Sequence, residues 1–232
     1  MIEHEWWEHE TPEAMAAEVA GDIAYILSGA IGEKGWALAV FPGGRTPERA
    51  LERLAAADLD WSKVTIVPSD DRMVPFDDPA SNAGMLARIF MPMGATIVPL
   101  TEGGAGDPHA AARTANARLR ALDWAPDIAW LGMGADGHVA SIFPGPDLAA
   151  ALEAPHLAVA VRPQPLPAGA PYARVTLSAQ AIRAADAITF AIQGRDKRAT
   201  LERAIAEGPS SRLPVGRLLA DAEQAIDIHW CP

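Results

Sequence analysis

Trp36-Ala37-Leu38-Ala39-Val40-Phe41-Pro42-Gly43-Gly44-Arg45-Thr46-Pro47-Glu48 changes character twice within a few residues. Trp36–Phe41 is an unbroken apolar run, the pattern of a strand buried on both faces. Two glycines then turn the chain. Thr46-Pro47-Glu48 opens a helix expected to end near Ala57, with Pro in the first turn and an acid facing the positive end of the helix dipole. Strand, glycine turn and helix make half of a βαβ unit, and the rest of the chain repeats the alternation. Strands are expected at 64–67, 96–98, 128–131, 157–161, 174–177, 187–192 and 226–230. Helices are expected from Thr11-Pro12-Glu13 to Gly29, from Ser81 to Phe90, from Asp107-Pro108 to Leu122, briefly after Ser178, and from Asp196 to Glu207 with Gly208 as its cap. Buried strands alternating with helices predict an α/β fold: a Rossmann-like, doubly wound, mostly parallel sheet with helices on both faces, residues 1–232 forming a single domain. Arg162–Pro171 reads as an extended loop.

The 232 residues are 50% hydrophobic and 21% charged, enough to bury a core and far from a disordered composition. One cysteine, Cys231, excludes a disulfide scaffold and a cysteine zinc site, and fits a reducing compartment. No unbroken run of about 18 apolar residues stands out, so no membrane partner is expected. The acidic start, Met1 to Glu10, lacks the apolar core of a signal peptide, and a cytoplasmic protein is expected. Nineteen basic against thirty acidic residues give a net charge of −11. Such a chain is a poor nucleic-acid binder, and an anionic ligand would need a local cluster of donors.

In parallel sheets ligands bind beyond the carboxyl ends of the strands, and four loops there carry polar chemistry. Pro42-Gly43-Gly44-Arg45-Thr46-Pro47 enters a helix and has the character of a phosphate loop, or of a plain tight turn with a Thr-Pro cap. Ser69-Asp70-Asp71-Arg72 offers carboxylates for hydroxyls and a guanidinium for an oxyanion, or a solvated ion pair. Gly132-Met133-Gly134-Ala135-Asp136-Gly137-His138 matches a dinucleotide fingerprint in form only, because the prolines of Val139–Pro146 leave no helix of useful length and no acid follows at the required distance. Its better reading is a glycine-shaped loop around a carboxylate and a general base. Gly194-Arg195-Asp196-Lys197 places a lysine one turn into a helix, where it reaches back to an anion or stands in solvent. All four fall on one edge of one sheet, which points to a phosphorylated, hydroxyl-rich small molecule.

Other chemistry is absent. There is no G-x-S-x-G elbow and no Walker lysine. His4-Glu5 and Glu8-His9 lack the H-E-x-x-H spacing and lie in what reads as a ragged terminus, so no metal is expected. The seven tryptophans read as packing groups, and Arg113, Arg118 and Arg120 as a solvated face.

Taken in order, the segments Gly43–Pro47 (GGRTP), Asp70–Pro75 (DDRMVP) with Ser81-Asn82, Gly132–Pro144 (GMGADGHVASIFP), Ala173–Ser178 (ARVTLS) and Gly194–Lys197 (GRDK) resemble the 6-phosphogluconolactonase family. That family belongs to a wider superfamily that includes glucosamine-6-phosphate deaminases. The resemblance runs from about Trp36 to the C-terminus. Deaminase-like members continue after Gly-His with Ala-Phe-Asn-Glu-Pro, whose Glu assists ring opening. Here Phe143 stands at the position of that Glu, and a phenylalanine moves no protons. Two positions depart from the lactonase pattern: Asp71 where it has Glu, and Pro42 where a small residue such as Ser is common.

The resemblance implies hydrolysis of 6-phospho-D-glucono-1,5-lactone to 6-phosphogluconate in the oxidative pentose phosphate pathway. Water would attack directly, with no cofactor, metal or covalent intermediate. His138 would be the general base, and Asp136 would orient it or bind a sugar hydroxyl. Gly43, Gly44, Arg45 and Thr46 would hold the phosphate, with Arg72 and Lys197 supplying charge and Arg174 on the rim. Asp70 would contact a hydroxyl or position its loop. The implied partner is a small phosphosugar lactone, and the assembly a monomer or small homo-oligomer. The alternatives are a sugar-phosphate isomerase or deaminase of the same superfamily, and a non-catalytic sugar-phosphate sensor.

Overall fold

The structure is a computed structural model that describes residues 3–104, 106–165 and 171–232, apart from the side chains of Arg45 and Thr46. Its elements in chain order are β1 (His4–Glu8), α1 (Pro12–Lys34), β2 (Ala37–Phe41), α2 (Arg45–Ala55), β3 (Val64–Pro68), β4 (Asp70–Arg72), α3 (Asn82–Phe90) and β5 (Thr96–Ile97). There follow α4 (Pro108–Arg120), β6 (Ile128–Leu131), α5 (Leu148–Glu153), β7 (Ala158–Val161), β8 (Arg174–Leu177), α6 (Ala179–Arg183), β9 (Ala187–Gln193), α7 (Arg195–Glu207), α8 (Pro214–Ala220) and β10 (Ile226–Cys231).

Seven strands form a sheet in the order β1-β10-β9-β6-β2-β3-β5, and every pairing in it is parallel. Side chains alternate across its faces. Ala37, Ala39 and Phe41 of β2 join Ile128 and Trp130 of β6 under α1, α2 and α3. Leu38 and Val40 join Ala129 and Leu131 on the opposite face, under α4 to α8. Both faces are covered, which is why the central strands read as continuous apolar runs. Phe41 packs 5.7 Å from Phe90 and edge-on to Trp130 at 6.1 Å, and together these rings fill the first core.

The structure corrects the sequence reading in several places. The helix expected to stop at Gly29 continues to Lys34. Its cap is Gly35, left-handed at φ 85°, whose N–H bonds the carbonyl of Ile31. The apolar stripe Val19, Ile23, Leu27 outweighs the roughly 1 kcal/mol that a mid-helix glycine costs. This helix is also long and apolar enough, by length and composition, to match a membrane-crossing segment. Glu18 and Asp22 interrupt the run and hide it from a search for unbroken apolar stretches. Its buried residues Met15, Val19, Ile23 and Leu27 make it a core helix.

The ragged terminus is strand β1, paired with β10 from His4↔Ile226 to Glu8↔Trp230. All but one of its residues are exposed, so it carries no apolar signal. His9, just beyond it, stacks on His229 with ring centroids 5.3 Å apart.

The strands at 157–161 and 174–177 do not join the main sheet. They pair antiparallel with each other and with β4 in a second sheet, β4-β8-β7. β4 itself reads as a loop in sequence because it is Asp-Asp-Arg. α5 and α8 are short and were not expected. Part of the loop expected at Arg162–Pro171, residues 166–170, lies outside the described residues. Arg113 is exposed as expected, beside Asp107, whereas Arg118 is half-buried, donating to the Pro99 carbonyl and pairing with Glu102. Trp61 and Trp130 are buried, whereas Trp7 and Trp36 are partly exposed.

Candidate active site

β9, β6, β2 and β3 are consecutive in the sheet, so the loops that follow them open side by side. The chain's winding reverses between β6 and β2, the kind of switch point at which open α/β sheets bind ligands. A cleft of about 330 Å³ lies there. Gly43 and Gly44 line it after β2, Asp70 and Arg72 after β3, His138 after β6, and Lys197 after β9. Arg174 of β8 reaches it from the second sheet. Asp136 stands beside His138. Arg45 and Thr46 form the first turn of α2, one residue earlier than the Thr-Pro signal suggests, with Gly44 as the N-cap and no side-chain cap. Their side chains lie outside the described part of the structure.

His138 is set by its own loop. The Asp136 carboxylate accepts the His138 ring Nδ1–H at 2.5 Å and the His138 backbone N–H at 3.2 Å. That bond leaves Nε2 as the lone-pair nitrogen, with no hydrogen-bond partner among the described residues. The imidazole bonded to Asp136 holds that carboxyl below the usual carboxylate range. Gly134 is required here by close approach: a Cβ on it would lie 2.2 Å from the imidazole.

The second loop feeds a buried polar network. Arg72 and Arg174 sit directly opposite one another on β4 and β8, a like-charge pair that opposes pairing of the strands. Asp70 offsets it. Its Oδ2 accepts the Ser141 hydroxyl at 2.5 Å and lies 3.9 Å from Arg174, while Ser141 also accepts from Arg174 at 3.2 Å. Burial lowers the Arg174 guanidinium's pKa and the Asp70 carboxylate opposes that shift. Asn82 donates to the Asp70 carbonyl at 2.7 Å and accepts from Arg72. It lies so close to Gly43 that a Cβ there would fall 1.9 Å from its amide. Asp71 faces away from the cleft and takes backbone N–H bonds from Arg72, Asn82 and Ala83 at the start of α3. Burial pushes its carboxyl up to about 6, against the pull of those donors.

Lys197 is half-buried in the cleft, and burial pushes its ammonium below its ordinary value. No carboxylate pairs with it among the described residues. Asp70 is the single acid among the described residues lining the cleft, so Arg72, Arg174 and Lys197 leave a locally positive site in an acidic protein. The sequence reading gave no role to Asn82 or Ser141, although both lie within quoted motifs. It also missed the apolar wall that α1 contributes through Met15, Ala16 and Val19. Nothing in α1 signals this, because the wall is ordinary core sequence. Among the described residues, no three His, Cys, Asp or Glu side chains gather as a metal would require.

A family model described as glucosamine-6-phosphate isomerases/6-phosphogluconolactonase matches residues 10–230. The chain is 40% identical over 231 residues to a 6-phosphogluconolactonase of Pseudomonas putida, covering 97% of this chain and 92% of the relative. It is 37% identical over 222 residues to one of Mesorhizobium japonicum, covering 94% and 91%. The crystal structure of a 6-phosphogluconolactonase from Shewanella baltica superposes with a TM-score of 0.90 at 30% identity, covering 99% of this chain and 98% of that one.

Proposed function

The chain belongs to the glucosamine-6-phosphate isomerase/6-phosphogluconolactonase family, and we propose that it hydrolyses 6-phospho-D-glucono-1,5-lactone to 6-phosphogluconate in the oxidative pentose phosphate pathway. One observation carries this reading. An imidazole held by a carboxylate shares a cleft with Arg49, Arg72, Arg174 and Lys197 and, among the described lining residues, a single acid, Asp70. A dianionic phosphate supplies the missing negative charge, and the imidazole supplies the base that a lactone needs.

In this reading His138 Nε2 takes a proton from water as the water attacks the lactone carbonyl. Asp136 keeps Nδ1 protonated and stabilises the imidazolium that forms, so in this reading it orients the base. The imidazolium then returns its proton to the departing ring oxygen. The phosphate lies against the glycine-shaped start of α2, at Gly43, Gly44, Arg45 and Thr46, with Lys197 as its charge partner. Arg72 and Arg174 face the other substrate oxygens, including the oxyanion of the tetrahedral intermediate. Asp70, saturated by Ser141, Asn82 and Arg174, positions its loop rather than binding a hydroxyl. Residues 1–232 act as one domain, since both cores pack on one sheet. A phosphorylated sugar does not cross a membrane unaided, so the reading carries a cytoplasmic location with it.

The test is lactone decay. 6-Phosphogluconolactone is generated in situ from glucose 6-phosphate, and its loss is followed above the spontaneous rate. Wild-type protein is expected to accelerate it, and His138→Ala to lose about 10²–10⁴-fold of kcat. Acceleration that survives in His138→Ala would move the base elsewhere. Decay at the buffer rate would overturn the reading, and release of fructose 6-phosphate from glucosamine 6-phosphate would move the chain to the deaminase side of its family.

A further inference from the structure

We infer that Phe143 is a positioning residue for His138: its ring fixes the plane of the imidazole whose Nε2 faces the cleft. This rests on His138 being the base of the proposed reaction.

The imidazole hangs from Cβ and is held at Nδ1 by Asp136, a bond open to water, since half of the Asp136 side chain is exposed. Concerted changes of χ1 and χ2 can still tilt the ring and carry Nε2 off line. Phe143 removes this freedom. The two rings stack with centroids 4.3 Å apart and planes inclined at 29°. Phe143 is placed to do so by its own loop. Ala140, two residues beyond His138, takes a left-handed φ of 51°. Ile142 N–H then bonds the Val139 carbonyl at 2.9 Å, so the chain folds back and returns position 143 to the imidazole.

Phe143 also lies under a cation. The guanidinium carbon of Arg174 is 5.1 Å from its ring centroid. Aromatic faces attract cations, so the same ring lies beside a fixed guanidinium and beside the imidazole that becomes cationic when the base accepts its proton. Phe143 does not line the cleft. It acts through His138 rather than on the substrate, so its loss should lower kcat and leave KM in place.

The experiment joins steady-state kinetics to NMR of the His138 ring. A stacked phenyl ring shields protons on its face, so the His138 Cε1–H signal, assigned by its loss in His138→Ala, is expected upfield of free histidine in the wild type. Phe143→Tyr, which keeps the ring, is expected to hold both that shift and kcat. Phe143→Leu, which keeps the apolar bulk, is expected to lose the shift and about tenfold in kcat, with KM within about twofold. An unshifted wild-type signal would overturn the inference without recourse to any variant. So would a Phe143→Leu enzyme with unchanged kcat, or one whose defect lies in KM alone. The shift is read without turnover. A wild-type protein that shows it yet leaves the lactone untouched would refute the lactonase reading while leaving the stack intact.

Discussion

Two carboxylates serve the cleft from opposite surroundings. Asp136 is half-exposed and bonds a histidine two residues away through a contact made inside one loop. Asp70 is 6% exposed and bonds Ser141, Asn82 and Arg174, which arrive from α3, β8 and the loop after β6. The first pair can form wherever its loop forms. The second exists only once two sheets and a helix have packed together. Removing either partner of a buried ion pair strands a charge, while an exposed pair surrenders its partner to water at little penalty. In the proposed reaction, chemistry falls to Asp136 and stability to Asp70.

The sharpest way to break this contrast is to remove each in turn. Asp136→Ala is expected to lower lactone hydrolysis by about 10²–10³-fold, with folding stability within about 1 kcal/mol of wild type. Asp70→Ala is expected to cost about 3–5 kcal/mol of stability in urea denaturation, with activity falling as a consequence. An Asp136 variant as fragile as the Asp70 variant would erase the distinction.

The pH dependence of folding sharpens it further, because Asp71 and Asp136 shift in opposite directions. Burial raises Asp71 to about 6, so between its unfolded value near 4 and pH 6 the folded state holds the extra proton. Its contribution is present at low pH and is lost as pH rises through that window, by up to about 3 kcal/mol. Asp136 has the opposite sign: its lowered pKa favours folding above the ordinary carboxylate value, and that contribution disappears as pH falls through the lowered one. Denaturation at several pH values should show a slope between pH 4 and 6 that flattens in Asp71→Asn, which has no proton to gain. Parallel slopes in the two proteins would remove Asp71 from the account.

The smallest effect belongs to Lys197. A half-buried ammonium that no carboxylate pairs with among the described residues is a burden on the empty enzyme and an asset to the loaded one. Lys197→Met is expected to raise KM about tenfold, the scale of one charge-assisted hydrogen bond. Stability should hold or rise by about 1 kcal/mol. A drop in stability would mean that Lys197 serves the fold.

Legibility followed the range of the forces involved. The central strands β2 and β6 stood out because burial on both faces leaves no polar position to confuse the pattern. Thr11, Asp107 and Ser178 were legible as helix caps because each bonds backbone N–H groups within three residues. The Asp136–His138 pair was legible for the same local reason. β1 escaped because an exposed edge strand buries almost nothing, and β4 because its identity lies in its pairing with β8. Asn82 and Ser141 were quoted as letters of a motif, yet their roles depend on groups 12 and 71 residues away.

The sequence by itself thus determined the alternation of strand and helix, the edge of the sheet at which the polar loops gather, and the closeness of Asp136 to His138 in one loop. Each follows from burial periodicity or from contacts a few residues long. Only the tertiary structure decided that Arg72 and Arg174 oppose each other across a second sheet, that Asp70 compensates them, and that Phe143 returns to the face of His138. The two arginines stand 102 positions apart in the chain. No local preference specifies a meeting at that range; it is set when the packed sheets leave buried charges one arrangement in which they are paired.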